Sequence, residues 1–259
     1  NLWIVAPFDR AEVVRRTRHL AAPPAFRAGY GYNNLMYIVA GEVVGAASGG
    51  TWDDFVQRRL FQPLGMTRST TRTAVADADA NASWSHIRVD GAPVAVPRRN
   101  YDNIGGAGAI FSTAHDMAQW VRLHLNEGRH GATQLLKPAT VRELHEPQTV
   151  IQADSVAERM FPTTHFRAYG LGWFLHDYQG QAVAMHTGSI DGMSAIVGLI
   201  PDRRLGVVVL LARSNITREP ATSDSSINCG SGRVESGLQI GLHVDPDKKW
   251  RKPVFAVAR

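Results

Sequence analysis

The stretch HTGSIDGMSAIVGLIPDRRLGVVVLLARSN, residues 186–215, decides the fold class. Two apolar, β-branched runs, Met193 to Ile200 and Leu205 to Leu211, lie on either side of Pro201-Asp202. Runs of this length bounded by turn residues read as strands joined by tight connections. Ala182 to His186 and Tyr169 to Asp177 read as two more strands, so residues 169–212 predict an antiparallel meander. Upstream the apolar spacing becomes helical. Ser112-Thr113 with Asp116 starts a helix through Met117, Trp120, Val121 and Leu125, and Pro138 opens another that runs to about Glu146. Asn34 to Ala47 is apolar on most sides and stops at Ser48-Gly49-Gly50. Asp9 with Glu12, and Thr51 with Asp54, have the spacing of capping boxes. The second of these begins a helix that should end at Pro63 and pair with the 34–47 helix as a hairpin. Residues 68–110, Ala/Asp-rich and then Gly-rich, predict a long surface loop. A helical region of about 9–150 followed by a sheet of about 169–212 is an α+β arrangement.

The composition narrows the function classes. With 259 residues, 44% of them apolar, the chain can bury a sizeable core. Its longest apolar stretches, Leu35 to Ala47 and Val207 to Ala212, fall short of the roughly 20 residues of a membrane helix. A net charge of +5 arises from basic pairs scattered among acidic residues, with one cluster at Lys248 to Lys252, so nucleic acid is not the expected partner. Ten histidines include no His-Glu-x-x-His and no close Cys/His pair, so no metal site is expected. Gly105 to Gly108 lacks the strand before it and the helix-borne pattern after it that a nucleotide loop needs, and no cofactor is expected. It reads instead as a turn flanking a cleft. Cys229 stands alone and Gly-x-Ser-x-Gly is absent. Trp84, Trp120 and Trp173 read as core or cleft wall.

Two short motifs carry chemistry: Tyr32-Asn33-Asn34, just before the apolar helix, and His186-Thr187-Gly188 on a strand. Each is weak alone. Four ordered blocks give them context: AGYGYNNLMYIVAGEVVGAASGGTWDDFVQRRLFQPLGM (28–66), GGAGAIFSTAHDMAQWV (105–121), YGLGWFL (169–175) and 186–215. In order, spacing and flanks, Phe26 to Asn215 resembles the serine β-lactamase and penicillin-binding-protein-like family, the class C β-lactamase-related hydrolases, esterases and D-peptidases. The resemblance implies an antiparallel sheet flanked by helices and an acyl-enzyme mechanism. It implies further that Tyr32 is the general base or proton shuttle and that Asn34 orients a catalytic lysine and a substrate carbonyl. Ser189 would give a backbone N–H to an oxyanion hole, while Thr187 and Gly188 meet substrate at the strand edge. The implied substrates are small esters, β-lactams or D-peptides, and the implied compartment is periplasmic or extracellular.

Two departures refine this. His186 stands where many members have lysine, and a mostly neutral imidazole holds a carboxylate less strongly than an ammonium, which favours ester or D-amino-acid amide hydrolysis over β-lactam hydrolysis. Also, none of Lys137, Lys248, Lys249 and Lys252 has serine three positions earlier, so the family's Ser-x-x-Lys is missing. The expectation is therefore a partial domain over 1–215, without the N-terminal strands and nucleophile helix, inactive alone, followed by a divergent, non-periodic tail at 216–259 in which only the run Leu238 to Val244 reads as a strand. The alternatives are a non-catalytic binding relative and a β-lactamase. Loss of that segment leaves apolar surface exposed, so the 259-residue chain should aggregate. Size exclusion and scanning calorimetry check this, and a cooperative transition in a monomer would contradict it.

Overall fold

Helix α1 (Arg10–Arg16) begins where the Asp9 carboxylate accepts the Glu12 N–H at 2.8 Å. Only half of the expected capping box forms, because the Glu12 carboxylate turns along the helix to Arg15 and Arg16. The computed structural model describes residues 4, 6–21, 27, 29–90, 92–152, 163–212 and the backbone of 238–243. These fall into two units, Asn1–Ala82 with Arg99–Asp116, and Ser83–Arg98 with Met117–Arg259. No helix among the described residues is long and apolar enough to cross a membrane.

The first unit is helical. Helix α2 (Asn34–Ser48) is capped by Asn33, whose side chain accepts the Leu35 N–H at 2.9 Å, and ends on Gly49 in the left-handed region. Helix α3 (Trp52–Val56) is capped by Thr51. The two meet as expected at Gly45, where a side chain would come within 3.2 Å of the Trp52 nitrogen. Pro63 does not end this helix. A π-helical turn over Gln57–Phe61 leads into α4 (Gln62–Leu64), and Pro63 sits in its first turn, where a missing N–H costs little. Helix α5 (Thr73–Ala78) follows, and Ile38, Val56, Phe61, Leu64, Tyr101 and Ile104 are buried.

Arg10 ties this unit together. Its guanidinium contacts Asp53 at 2.7 Å, donates from Nε to the Asp102 carbonyl at 2.7 Å, and lies 5.5 Å from the centre of the Trp52 ring. Asp116, also buried, accepts the Arg68 N–H and the Ser69 hydroxyl, each at 2.8 Å.

In the second unit, β1 (Ser85–Val89) and β2 (Ala92–Val96) form a hairpin, and β3 (Arg129–His130) with β4 (Thr133–Gln134) forms a smaller one. Helix α6 (Ala114–Leu125) carries Val121 into the core, and α7 (Pro138–Leu144) begins at its proline. Seven antiparallel strands make the main sheet: β5 (Thr149–Val150), β6 (Arg167–Tyr169), β7 (Phe174–Tyr178), β8 (Gln181–Ile190), β9 (Met193–Ile200), β10 (Leu205–Leu211) and β11 (Leu238–His243). They lie in sequence order, so the meander forms as the sequence predicts. Ala168, Leu175, Ala184 and Leu199 make one buried row across four strands.

Three expectations change. Residues 68–110 are not one loop, since they hold α5, the β1–β2 hairpin and a 3-10 turn at Asp102–Ile104. Long-range bonds fix these segments: the Thr73 N–H donates to Asp102 Oδ1 at 2.8 Å, and the His86 N–H donates to the Gly192 carbonyl at 3.0 Å. Val89 and Val94 face solvent, so the apolar residues of this hairpin do not mark a core face. The run Tyr169 to Asp177 is two strands, because the Gly170 N–H turns back to the Trp173 carbonyl at 2.8 Å. Trp84 is exposed at 64%, whereas Trp173 is core. In the 216–259 tail, the run expected as a strand forms β11 at 238–243 against β10, and the rest of the tail lies outside the described residues.

A histidine pair, His124 buried and His145 half-buried, joins α6, α7 and the β6–β7 turn. His124 Nδ1 lies 3.2 Å from His145 Nε2, and both rings stand edge-on to Trp173. Burial first, and then His145, lowers the His124 pKa from 6.5 to about 3. A depressed folded pKa gives stability that is complete above the unfolded value and is lost as pH falls toward the folded one. Thermal stability should therefore fall from pH 6.5 to about 4.5, before the carboxylates titrate, by up to about 1.4 kcal/mol per pH unit for each proton taken up. Calorimetry of the chain against its His124→Phe variant checks this; the variant should show a shallower slope.

Candidate active site

The start of α2 brings Tyr32 and Asn34 together. Asn33, in extended conformation, caps the helix, which leaves Asn34 in the first turn with its side chain uncommitted to the backbone N–H row. The Tyr32 hydroxyl donates to Asn34 Oδ1 at 3.0 Å. Asn33 is thus the cap, and Asn34 is the amide that meets the phenol. Tyr32 is 46% exposed, yet burial of its remainder, with Tyr37 second, raises its pKa above 10.0. The phenolate is disfavoured there. The Gly-rich segment rests on the next turn of this helix: Gly106 has φ 86°, and a side chain on it would run into the Tyr37 carbonyl. Helix α2 is thereby braced two turns or less from the Tyr32–Asn34 pair.

His186, Thr187, Gly188 and Ser189 all lie on β8, which continues four residues past the end expected from sequence. Asp191 and Gly192, with φ of 20° and 83°, turn the chain directly from Ile190 into Met193, so β8 and β9 pair to their tips. Strand β7 pairs with β8 only as far as Met185, opposite Phe174. From His186 to Ile190, β8 therefore has β9 on one side and, among the described residues, no strand on the other. An unpaired edge presents backbone N–H and C=O groups to an extended ligand.

The side chains along this edge differ in their surroundings. His186 is half-buried, its Nε2 lies 3.2 Å from the Tyr169 hydroxyl, and its ring lies 5.3 Å from that of Phe174. Burial lowers its pKa below 6.5, so the imidazole is neutral at pH 7. A side chain at Gly188 would meet nothing within 4 Å, so its small size answers to no neighbour among the described residues. The Ser189 hydroxyl is exposed and points into the hairpin, donating to the Met193 carbonyl at 3.4 Å, with the Ser194 hydroxyl 3.3 Å away. Its backbone, not its hydroxyl, belongs to the edge. Thr187 lines a separate pocket of about 180 Å³ with Arg167, Phe174, His176 and Met185. Tyr169 carries no signal in the sequence beyond its place in the block YGLGWFL.

Comparison with known proteins bears on the family and the fold. A family model described as Beta-lactamase matches residues 1–226. The chain is 29% identical over 255 residues to the unguisins hydrolase ungD' of Aspergillus campestris, covering 95% of this chain and 43% of the relative. It thus spans less than half the length of that relative. Among solved structures it is similar to an octameric penicillin-binding protein homologue from Pyrococcus abyssi, with TM-score 0.68 and 20% identity, covering 80% of this chain and 44% of that one. It is also similar to a D-amino acid amidase from Ochrobactrum anthropi, with TM-score 0.59 and 20% identity, covering 79% and 56%. The fold is the β-lactamase and penicillin-binding-protein fold, mixed α+β as the sequence predicted.

The division of labour at α2 has a measurable consequence. Asn33→Ala should cost about 1 kcal/mol through loss of the cap, whereas Asn34→Ala should cost distinctly less. Urea unfolding of both variants checks this, and equal losses would contradict it.

Proposed function

The chain belongs to the Beta-lactamase family, and on that premise we propose that it carries the proton-transfer and oxyanion parts of a serine hydrolase that acts through an acyl-enzyme. The substrate class is an ester or a D-amino-acid amide. The observation that carries this reading is the unpaired edge of β8 from His186 to Ile190, where an extended acyl chain can add as a further strand. There Gly188 leaves room for close approach, and the Ser189 N–H would stabilise the oxyanion of the tetrahedral intermediate. The nucleophilic serine attacks the carbonyl, and its proton passes through Tyr32 to the leaving group. Acylation is complete when the C–O or C–N bond breaks, and water then repeats the addition to free the acid. A phenol held above its usual pKa suits a neutral hydroxyl that relays a proton better than a standing phenolate. Asn34, bonded to that hydroxyl, keeps it directed.

The neutral His186 separates the substrate classes. A β-lactam brings a carboxylate that an ammonium holds well and a neutral imidazole holds weakly. Esters and amides without that carboxylate lose nothing, and a D-amino acid amidase stands among the structural relatives. No Ser-x-x-Lys occurs within these 259 residues, so this reading calls for a nucleophile that they do not carry in that motif.

A fluorescent fluorophosphonate tests this, applied to the 259-residue chain and to a version extended upstream from the gene, with mass analysis of the adduct. Labelling of the extended protein alone, on the serine of an upstream Ser-x-x-Lys, is the expected result. Labelling of neither protein would replace the reading with a non-catalytic binding relative.

A further inference from the structure

We propose that Tyr169 is a positioning residue for His186, fixing the orientation and protonation pattern of the imidazole through the hydrogen bond between its hydroxyl and Nε2. This rests on the reading of His186 as a site residue. A neutral imidazole carries one proton on either nitrogen, and a half-turn about its Cβ–Cγ bond exchanges the places of Nε2 and Cε1. A histidine at a strand edge is therefore free to present several faces to a ligand unless a second group holds it.

Tyr169 is such a group, and its own position is fixed from several sides. Its backbone is paired with Thr149 on β5 and with Phe174 on β7, and its carbonyl accepts the Gln148 N–H at 2.9 Å. Its ring stands at 77° to the Phe174 ring with centroids 4.9 Å apart, and Phe174 is in turn 5.3 Å from His186. The hydroxyl so placed lies 3.2 Å from Nε2, a bond in which either partner can donate. Turning the ring over would replace that nitrogen by a carbon and lose the bond in a partly buried place, where an unmade bond is costly. Tyr169 lies seventeen positions before His186 and two strands away in the sheet, so the contact exists only because β6, β7 and β8 stack in order.

The test uses the gene-extended protein, its Tyr169→Phe variant, which keeps the ring and removes the hydroxyl, and its His186→Gln variant. Imidazole 15N shifts, with the His186 signals identified by their loss in His186→Gln, report the proton's location. Hydrolysis of p-nitrophenyl acetate reports the rate. The expected result is a single-tautomer pattern in the parent, averaged shifts in Tyr169→Phe, and at least a fivefold lower kcat/KM at a temperature well below the thermal midpoint of either protein. A His186 pattern identical in parent and Tyr169→Phe would overturn the positioning role. A rate unchanged in His186→Gln would instead overturn the assignment of His186 to the site, whatever the shifts show for Tyr169.

Discussion

The turn at Asp191-Gly192 sets the register on which the functional edge depends. Both residues have positive φ, the requirement of a two-residue hairpin turn that matches strand twist, and Gly192 makes that conformation accessible. The turn also has a second occupant: the His86 N–H donates to the Gly192 carbonyl, and a side chain on Gly192 would come within 2.6 Å of the His86 nitrogen. One glycine thus closes the β8–β9 hairpin and docks the β1–β2 hairpin against it. A slip of one residue would exchange the two faces of β8, sending Ala184 out of the core and His186 away from Tyr169.

Burial controls the protonation of four histidines in the second unit. His124, His145, His176 and His186 all have lowered pKa values, with desolvation the first cause for each. The consequences differ with the partners. His124 sits deep among Trp120, Trp173 and His145, where neutrality is a condition of packing. His186 sits at an edge beside a phenol, where neutrality sets what a ligand meets. The same physical effect therefore produces a structural joint in one place and a chemical preference in another.

In the first unit a charge network does the corresponding work. Arg10 draws Asp53 and the Asp102 carbonyl onto one guanidinium, and Gly105 lies against that group so closely that no side chain fits. Gly106 then meets the Tyr37 carbonyl of α2. The helix that begins at Tyr32-Asn33-Asn34 is held by this arrangement and by the Asn33 cap, so the phenol–amide pair projects from a braced element.

The sequence by itself determined the features that a few neighbouring residues encode. The caps at Asp9, Thr51 and Thr113, the stop at Gly49, the strand series 182–211 and the family blocks around Tyr32 and His186 were all legible, because periodicity, capping and turn chemistry act within about a turn or a hairpin. The tertiary structure alone decided the rest. It docked the β1–β2 hairpin on the Gly192 carbonyl, extended β8 to an open edge, and placed Tyr169 on His186. Each of these depends on which distant groups exclude water from a site or reach its last unmet hydrogen bond, and chain spacing does not carry that information.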